Sequence, residues 1–240
     1  ESWTGRMEVW RRALEQCGRE PSRRHVHWLR VATLRLQSEL EHWRSGAGAD
    51  DPAAPAVARC MKQARKLRGL LKPAREADVC LGMLAELRKR ADARATPGRT
   101  LSPPCRLQER HLKRRLERRR AAAAKALEED LRERQKRLLN LSGEMERALG
   151  QGMLRLARPS AAEVRALVVE IAENFPVLSA ENLHEFRKGM KAARYLADLG
   201  AAADAAMRTQ VAWLGELQTA AGAWHDWEML AQIAGRALRN

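Results

Sequence analysis

Apolar side chains at Trp3, Met7, Trp10 and Leu14 recur three and four residues apart, which predicts a helix over 3–17. Pro21 and Ser22 break that pattern. Val26, Leu29, Leu36 and Leu40 then carry a second helix over about 23–43. Residues 45–55 are rich in Gly, Ala, Asp and Pro and read as a loop. A third helix over 57–71 is expected to stop at Pro73, because proline lacks an N–H and crowds the preceding turn. A fourth covers 75–93, and the proline-rich stretch 94–104 reads as a linker. The segment 106–149 has no proline and a single glycine, Gly143, so it reads as one long helix or two joined ones, closed by Gly150, Gly152 and Pro159. Helices over 160–173, 180–199, 204–221 and 224–239 follow, punctuated by Asn174-Phe175-Pro176 and Gly200. The pattern amounts to about nine helices and no strand.

The ends of this pattern resemble each other. Val26-His27-x-Leu29-Arg30 matches Leu183-His184-x-Phe186-Arg187 at an offset of 157. Leu67 with Arg75-Glu76-x-Asp78 matches Leu217 with His225-Asp226-x-Glu228 at an offset of 150. Similar units in the same order imply an internal duplication. The expected fold is therefore all-α: two pseudo-symmetric four-helix bundles, residues 1–94 and 159–240, joined by a long basic helical segment, 103–150, in one domain spanning 1–240.

Composition agrees with helices. Ala, Leu, Arg, Glu and Gln abound, whereas Val, Ile and Thr are scarce and Tyr and Phe number one and two. This argues against a large β-sandwich or barrel. A hydrophobic fraction of 45 % excludes a disordered basic tail. No apolar run is long enough to span a membrane, and no signal peptide opens the chain, so a cytoplasmic protein is expected. The absence of an initiator Met points to a fragment or an expression product. Cys17, Cys60, Cys80 and Cys105 lack C-x-x-C spacing and are expected to be free thiols.

Charge changes the picture most. The chain is net +15, yet residues 159–240 hold eight Lys/Arg against ten Asp/Glu. Within that acidic part, His184, Arg187, Lys191 and Arg194 step by three, four and three and share one helix face, flanked by Lys188 and Tyr195. The matching face near the amino terminus reads His27, Arg30, Leu34 and Gln37, with Arg35 nearby. Arg65, Arg68, Lys72 and Arg75 repeat the same steps. If the repeats pack about a pseudo-twofold axis, these stripes converge on one basic surface or channel suited to phosphate oxygens. Arg110, Lys113, Arg114, Arg115, Arg118, Arg119, Arg120 and Lys125 instead encircle the middle segment. Interleaved Glu109, Glu117, Glu128 and Glu133 make a solvated, salt-bridged helix the favoured reading there, with an extra anion-binding flank as the alternative.

Enzymatic motifs are missing: there is no G-x-G-x-x-G, P-loop, G-x-S-x-G or H-E-x-x-H. His25 and His27 lie on different helix faces and cannot share a metal. Asp78, Asp226 and Glu228 read as partners of arginines or as helix caps. The seven Trp fall mostly at core-compatible spacings and do not interleave with the basic stripes as base-stacking aromatics would. No metal and no cofactor are expected.

Val26–Leu36 and Leu183–Tyr195, with Leu71–Val79 and Leu217–Glu228, resemble the signature helices and following junctions of the CHAD family, the conserved histidine α-helical domain. The resemblance covers nearly the whole chain. It implies two pseudo-symmetric four-helix bundles and a basic surface or cavity that binds inorganic polyphosphate. It also implies association with polyphosphate granules and, in some members, fusion to a CYTH-type triphosphatase. That enzyme's E-x-E-x-K motif does not occur here. Carried over residue by residue, the binding set is His27, Arg30, Arg35, Arg65, Arg68, Lys72 and Arg75 with His184, Arg187, Lys188, Lys191, Arg194, Tyr195 and His225. On that reading the histidines donate hydrogen bonds to phosphate, more strongly when protonated. Leu34 and Gln37 stand where the family usually has basic residues, Lys72 where it has glycine, Gly215 where it has lysine, and Glu76 where it has aspartate. The expected function is thus non-enzymatic polyphosphate binding. The alternatives are a nucleic-acid-binding helical protein, a metal-dependent phosphohydrolase, and a structural partner of a fused enzyme.

Overall fold

The computed structural model describes residues 3–47, 51–93, 103–150 and 158–239. Most of the expected linker 94–104, Gly152 and part of the 45–55 loop lie outside the described residues. The described chain folds into seven α-helices: α1 (Trp3–Arg19), α2 (Arg23–Gly46), α3 (Ala54–Ala93), α4 (Pro103–Gly150), α5 (Ala161–Asn174), α6 (Leu183–Gly200) and α7 (Ala205–Arg239). No strand occurs among the described residues.

The helix starts follow local chemistry. Ser22 caps α2 by accepting the His25 N–H at 3.3 Å. Ser160 and Glu163 form a reciprocal capping box on α5, with bonds of 3.2 and 2.6 Å. Two expected breaks do not occur. Pro73 sits inside α3 without ending it. Both Pro73 and Gly69, whose carbonyl loses its helical partner, are exposed, so water can satisfy that carbonyl. Leu67, Leu71, Ala74 and Ala77 are buried on either side of the proline and hold the helix together. Likewise α7 runs unbroken through Gly222, because glycine weakens a helix by only about 1 kcal/mol. These two continuities account for the drop from the expected nine elements.

Three cores organise the helices. The first joins Trp10, Leu14, Leu29, Leu36, Leu40, Met61 and Leu71 of α1–α3 to Leu127, Leu131 and Met145 of α4. Thus α4 closes a four-helix bundle with α1, α2 and α3 rather than standing apart as a connector. The second core lies within α5, α6 and the first half of α7, around Val164, Ile171, Phe186, Met190, Met207 and Leu214. The third gathers the ends of the long helices: Cys80 and Leu84 of α3, Leu112 and Leu116 of α4, Leu230 and Ile233 of α7. Forty residues of α3 extend about 60 Å, enough to serve two cores in succession.

Polar clamps fix the register. Arg120 of α4 donates to Asp78 Oδ1 at 2.7 Å and to the Pro21 carbonyl at 2.6 Å. Trp10 Nε1 donates to Thr33 Oγ1 at 3.1 Å in the interior. The tryptophans divide: Trp3, Trp10 and Trp43 are buried, whereas Trp213 and Trp227 are exposed on α7. All four cysteines are free thiols.

Candidate anion-binding site

Helix α2 packs on α6, and α3 on α7, and the basic stripes meet where these four helices come together. Lys191 on α6 lies at the centre. It feels Arg30 from α2, Arg68 from α3, and Arg187 and Arg194 from its own helix. Burial first, and then these four guanidiniums, pull its ammonium down from 10.5 to about 8. Its Nζ stands 5.9 Å from the centroid of the buried Tyr195 ring, a weak cation–π contact. Arg30 is shifted downward for the same reasons, burial first and then Arg68.

Two of these arginines are held by neutral amides. Arg68 donates to Gln37 Oε1 at 2.6 Å, and Arg194 donates to Gln218 Oε1 at 2.7 Å. A glutamine orients a guanidinium without neutralising it, so the positive field survives. Arg30, Arg75, Arg187 and Lys191 have no carboxylate within ion-pair distance among the described residues. The Arg187 and Arg68 Nε groups are buried without a hydrogen-bond partner.

The histidines flank this centre. His184 and His225 face each other with ring centroids 5.2 Å apart. Burial, and then Arg187 and His184, hold His225 below its ordinary value, and its Nδ1 is buried without a partner. His27 is exposed at its residue surface. Crowding around its ring, then Arg75 and Lys191, still shift it downward. Asp226 brings the opposing charge. Burial raises its carboxyl above the usual range despite the pull of His225, Arg187, Arg75 and Lys191.

The structure thus brings together His27, Arg30, Arg68, Arg75, His184, Arg187, Lys191, Arg194, Tyr195 and His225. Four residues of the expected set stand elsewhere. Arg35 bridges α2 to Asp198 of α6, its Nε 2.9 Å from Oδ2, at the edge beside Tyr195. Lys188 is exposed and donates to Glu185 at 2.7 Å. Lys72 is exposed and lies 3.8 Å from Glu76. Arg65, also exposed, and Lys72 point roughly 50–70° around α3 from the Arg68–Arg75 line, toward solvent. Even steps of three and four spread over an arc, and only part of that arc faces α6.

Sequence reasoning missed several participants. Gln37 and Gln218 support the arginines, Arg23 acts on both Arg75 and His27, and Asp226 enters the cluster instead of pairing closely with one arginine. Gln37 stood on the His27–Arg30 stripe and was visible there; no spacing rule marked Gln218. Among the described residues, no three His, Cys, Asp or Glu stand close enough to hold a metal ion. No helix is long and apolar enough to cross a membrane, again among the described residues.

Helices α2, α3, α6 and α7 thus converge on a cluster rich in cations, with Asp226 as the acid within it, in an all-α domain. The chain belongs to the CHAD domain family, whose model matches residues 2–235. No match was found among curated proteins or among solved structures.

Proposed function

We propose that this protein binds inorganic polyphosphate in the cleft between α2, α3, α6 and α7, without catalysing its turnover. The observation that carries the reading is Lys191 with Arg30, Arg75 and Arg187: four half-buried cations without an ion-pair partner among the described residues. Crowding like charges costs free energy in the empty protein, and a dense row of phosphate charges returns it on binding. Family membership supports the choice of polymer. Neutral glutamine supports and paired histidine donors suit a ligand whose every unit carries acceptor oxygens. Retention at polyphosphate granules and association with a triphosphatase extend the same reading to the cell.

The helix order supports an internal duplication as part of this proposal. α1, α2 and α3 would correspond to α5, α6 and α7, so the α2–α6 and α3–α7 contacts join equivalent helices, as a pseudo-twofold axis requires. The duplication would explain how two basic stripes face one another.

The test is competition. Labelled long-chain polyphosphate is bound at moderate salt and challenged with unlabelled polymer, duplex DNA and RNA at equal phosphate concentration. Polyphosphate alone is expected to displace the label efficiently; equal displacement by DNA or RNA would mean a general polyanion binder. Replacing Arg187, Lys191 and Arg194 by Glu should abolish tight binding with helix content unchanged.

A further inference from the structure

Helix α4 carries a second body of charge outside the cleft. Between Arg106 and Arg120 it has eight Lys/Arg and only two acids, Glu109 and Glu117. Both acids are already engaged, Glu109 by Arg88 at 3.2 Å and Glu117 by Lys113 at 3.8 Å. Arg119 and Arg120 pair with Glu76 and Asp78 of α3 at 3.0 and 2.7 Å. Arg110, Arg114, Arg115 and Arg118 have no acidic partner among the described residues, and all four are exposed. The salt-bridged helix expected from the sequence therefore holds for only part of this segment.

The free arginines are not scattered. Arg110, Arg114 and Arg118 run along the side of α4 opposite the buried Leu112 and Leu116. With Leu107, His111 and Arg115 they line a groove of about 410 Å³. An adjoining depression of about 290 Å³ lies between α4 and α7. There Arg115 and Arg119 meet Arg236 over Leu116 and Ile233. Arg236 connects this surface to the cleft. It follows His225 on α7 by eleven residues, close to three full turns, so both face the same side of the helix about 16 Å apart. Glu228 and Gln232, hydrogen-bonded at 3.4 Å, lie between them.

We propose that the Arg110–Arg114–Arg118 ridge with Arg115 and Arg236 is a second polyphosphate site, so that one long polymer occupies ridge and cleft together. Guanidiniums bind phosphate oxygens in bidentate fashion, and the groove is lined by four arginines with no Phe, Tyr or Trp on which a base could stack. This rests on the cleft binding polyphosphate, and it adds chain-length selectivity. A tripolyphosphate fills one site, whereas a long chain gains from the second because its remainder is tethered at high effective concentration.

The experiment compares tripolyphosphate with long-chain polyphosphate on three proteins: wild type, a ridge variant (Arg110, Arg114 and Arg118→Gln) and a cleft variant (Arg187→Gln with Lys191→Met). The ridge variant is expected to bind the long chain roughly 10- to 100-fold more weakly, with tripolyphosphate affinity unchanged. Its salt dependence should also be shallower by about two to three charges. Unchanged long-chain affinity overturns the proposal. So does a loss confined to duplex DNA, which would make the ridge a nucleic-acid site. Long-chain affinity of the cleft variant equal to that of wild type would instead refute the cleft. If the ridge variant loses its helical signal, Arg236→Gln in the adjoining depression carries the same expectation on a smaller scale.

Discussion

Replacing Lys191 by Met should make the empty protein more stable and the liganded one less so. Methionine keeps the length and apolar stem of lysine and removes its charge. In the fold the ammonium is pulled from 10.5 to about 8, a difference of about 2.5 pH units. At about 1.4 kcal/mol per unit this sets an upper bound of about 3–4 kcal/mol on the cost of the charged amine. Screening by water at a partly exposed site lowers the expected gain to about 1–2 kcal/mol. Below pH 8 both folded and unfolded states hold the proton, so the penalty is fully present. Between about 8 and 10.5 the folded protein has shed it while the unfolded chain keeps it, and wild-type stability recovers. The buried thiols of Cys17, Cys60 and Cys80, pushed up to about 12, 12 and 11, act in the opposite direction above pH 9. They are common to both proteins and cancel in the comparison. Urea denaturation, followed by tryptophan fluorescence in low salt near neutral pH and near pH 10, measures the difference. Lys191→Met should exceed wild type by about 1–2 kcal/mol at neutral pH and show almost no excess at the higher pH. Added polyphosphate should stabilise wild type more than the variant. A variant less stable than wild type at neutral pH, or a pH-independent difference, would refute the reasoning.

Asp226→Asn should raise polyphosphate affinity about fivefold, because one opposing charge near the cluster is worth roughly 1 kcal/mol in solvent-like surroundings; equilibrium titration checks it. His27 and His225 are held below their ordinary values by burial and by neighbouring cations. A bound polyanion favours their charged forms, so affinity should rise as pH falls below about 6.5, with proton uptake visible by calorimetry in buffers of different ionisation enthalpy. Replacing both histidines by Gln should flatten that rise. Arg120→Ala strips the partner from Asp78, which is 4 % exposed, and should destabilise the fold by about 3–5 kcal/mol in urea.

The helices themselves were legible from one-dimensional periodicity, because an amphipathic face repeats with the turn of the helix. Ser22 and Pro159 marked boundaries that the structure keeps. The stripe His184–Arg187–Lys191–Arg194 was legible for the same reason, and it lies on one face of α6. Pro73 and the expected gap between 221 and 224 misled, since local propensity amounts to about 1–3 kcal/mol and packing on both sides, by Leu67 to Ala77 on α3 and by Leu214 and Leu230 on α7, outweighs it.

What the amino-acid sequence determined alone was local: which residues are helical, which face of each helix is apolar, and where cations recur at helical spacing. Tertiary structure decided which cations remain uncompensated. Arg120 and Arg119 found carboxylates on α3, Lys188 and Lys72 found theirs within a turn, and Arg30, Arg75, Arg187 and Lys191 found none within ion-pair distance among the described residues. Nothing in the spacing of Gln37 and Gln218 announced that neutral amides would hold Arg68 and Arg194 in place of acids. Ion pairing depends on distances between helices far apart in the chain, and Coulomb energy follows those distances rather than sequence order.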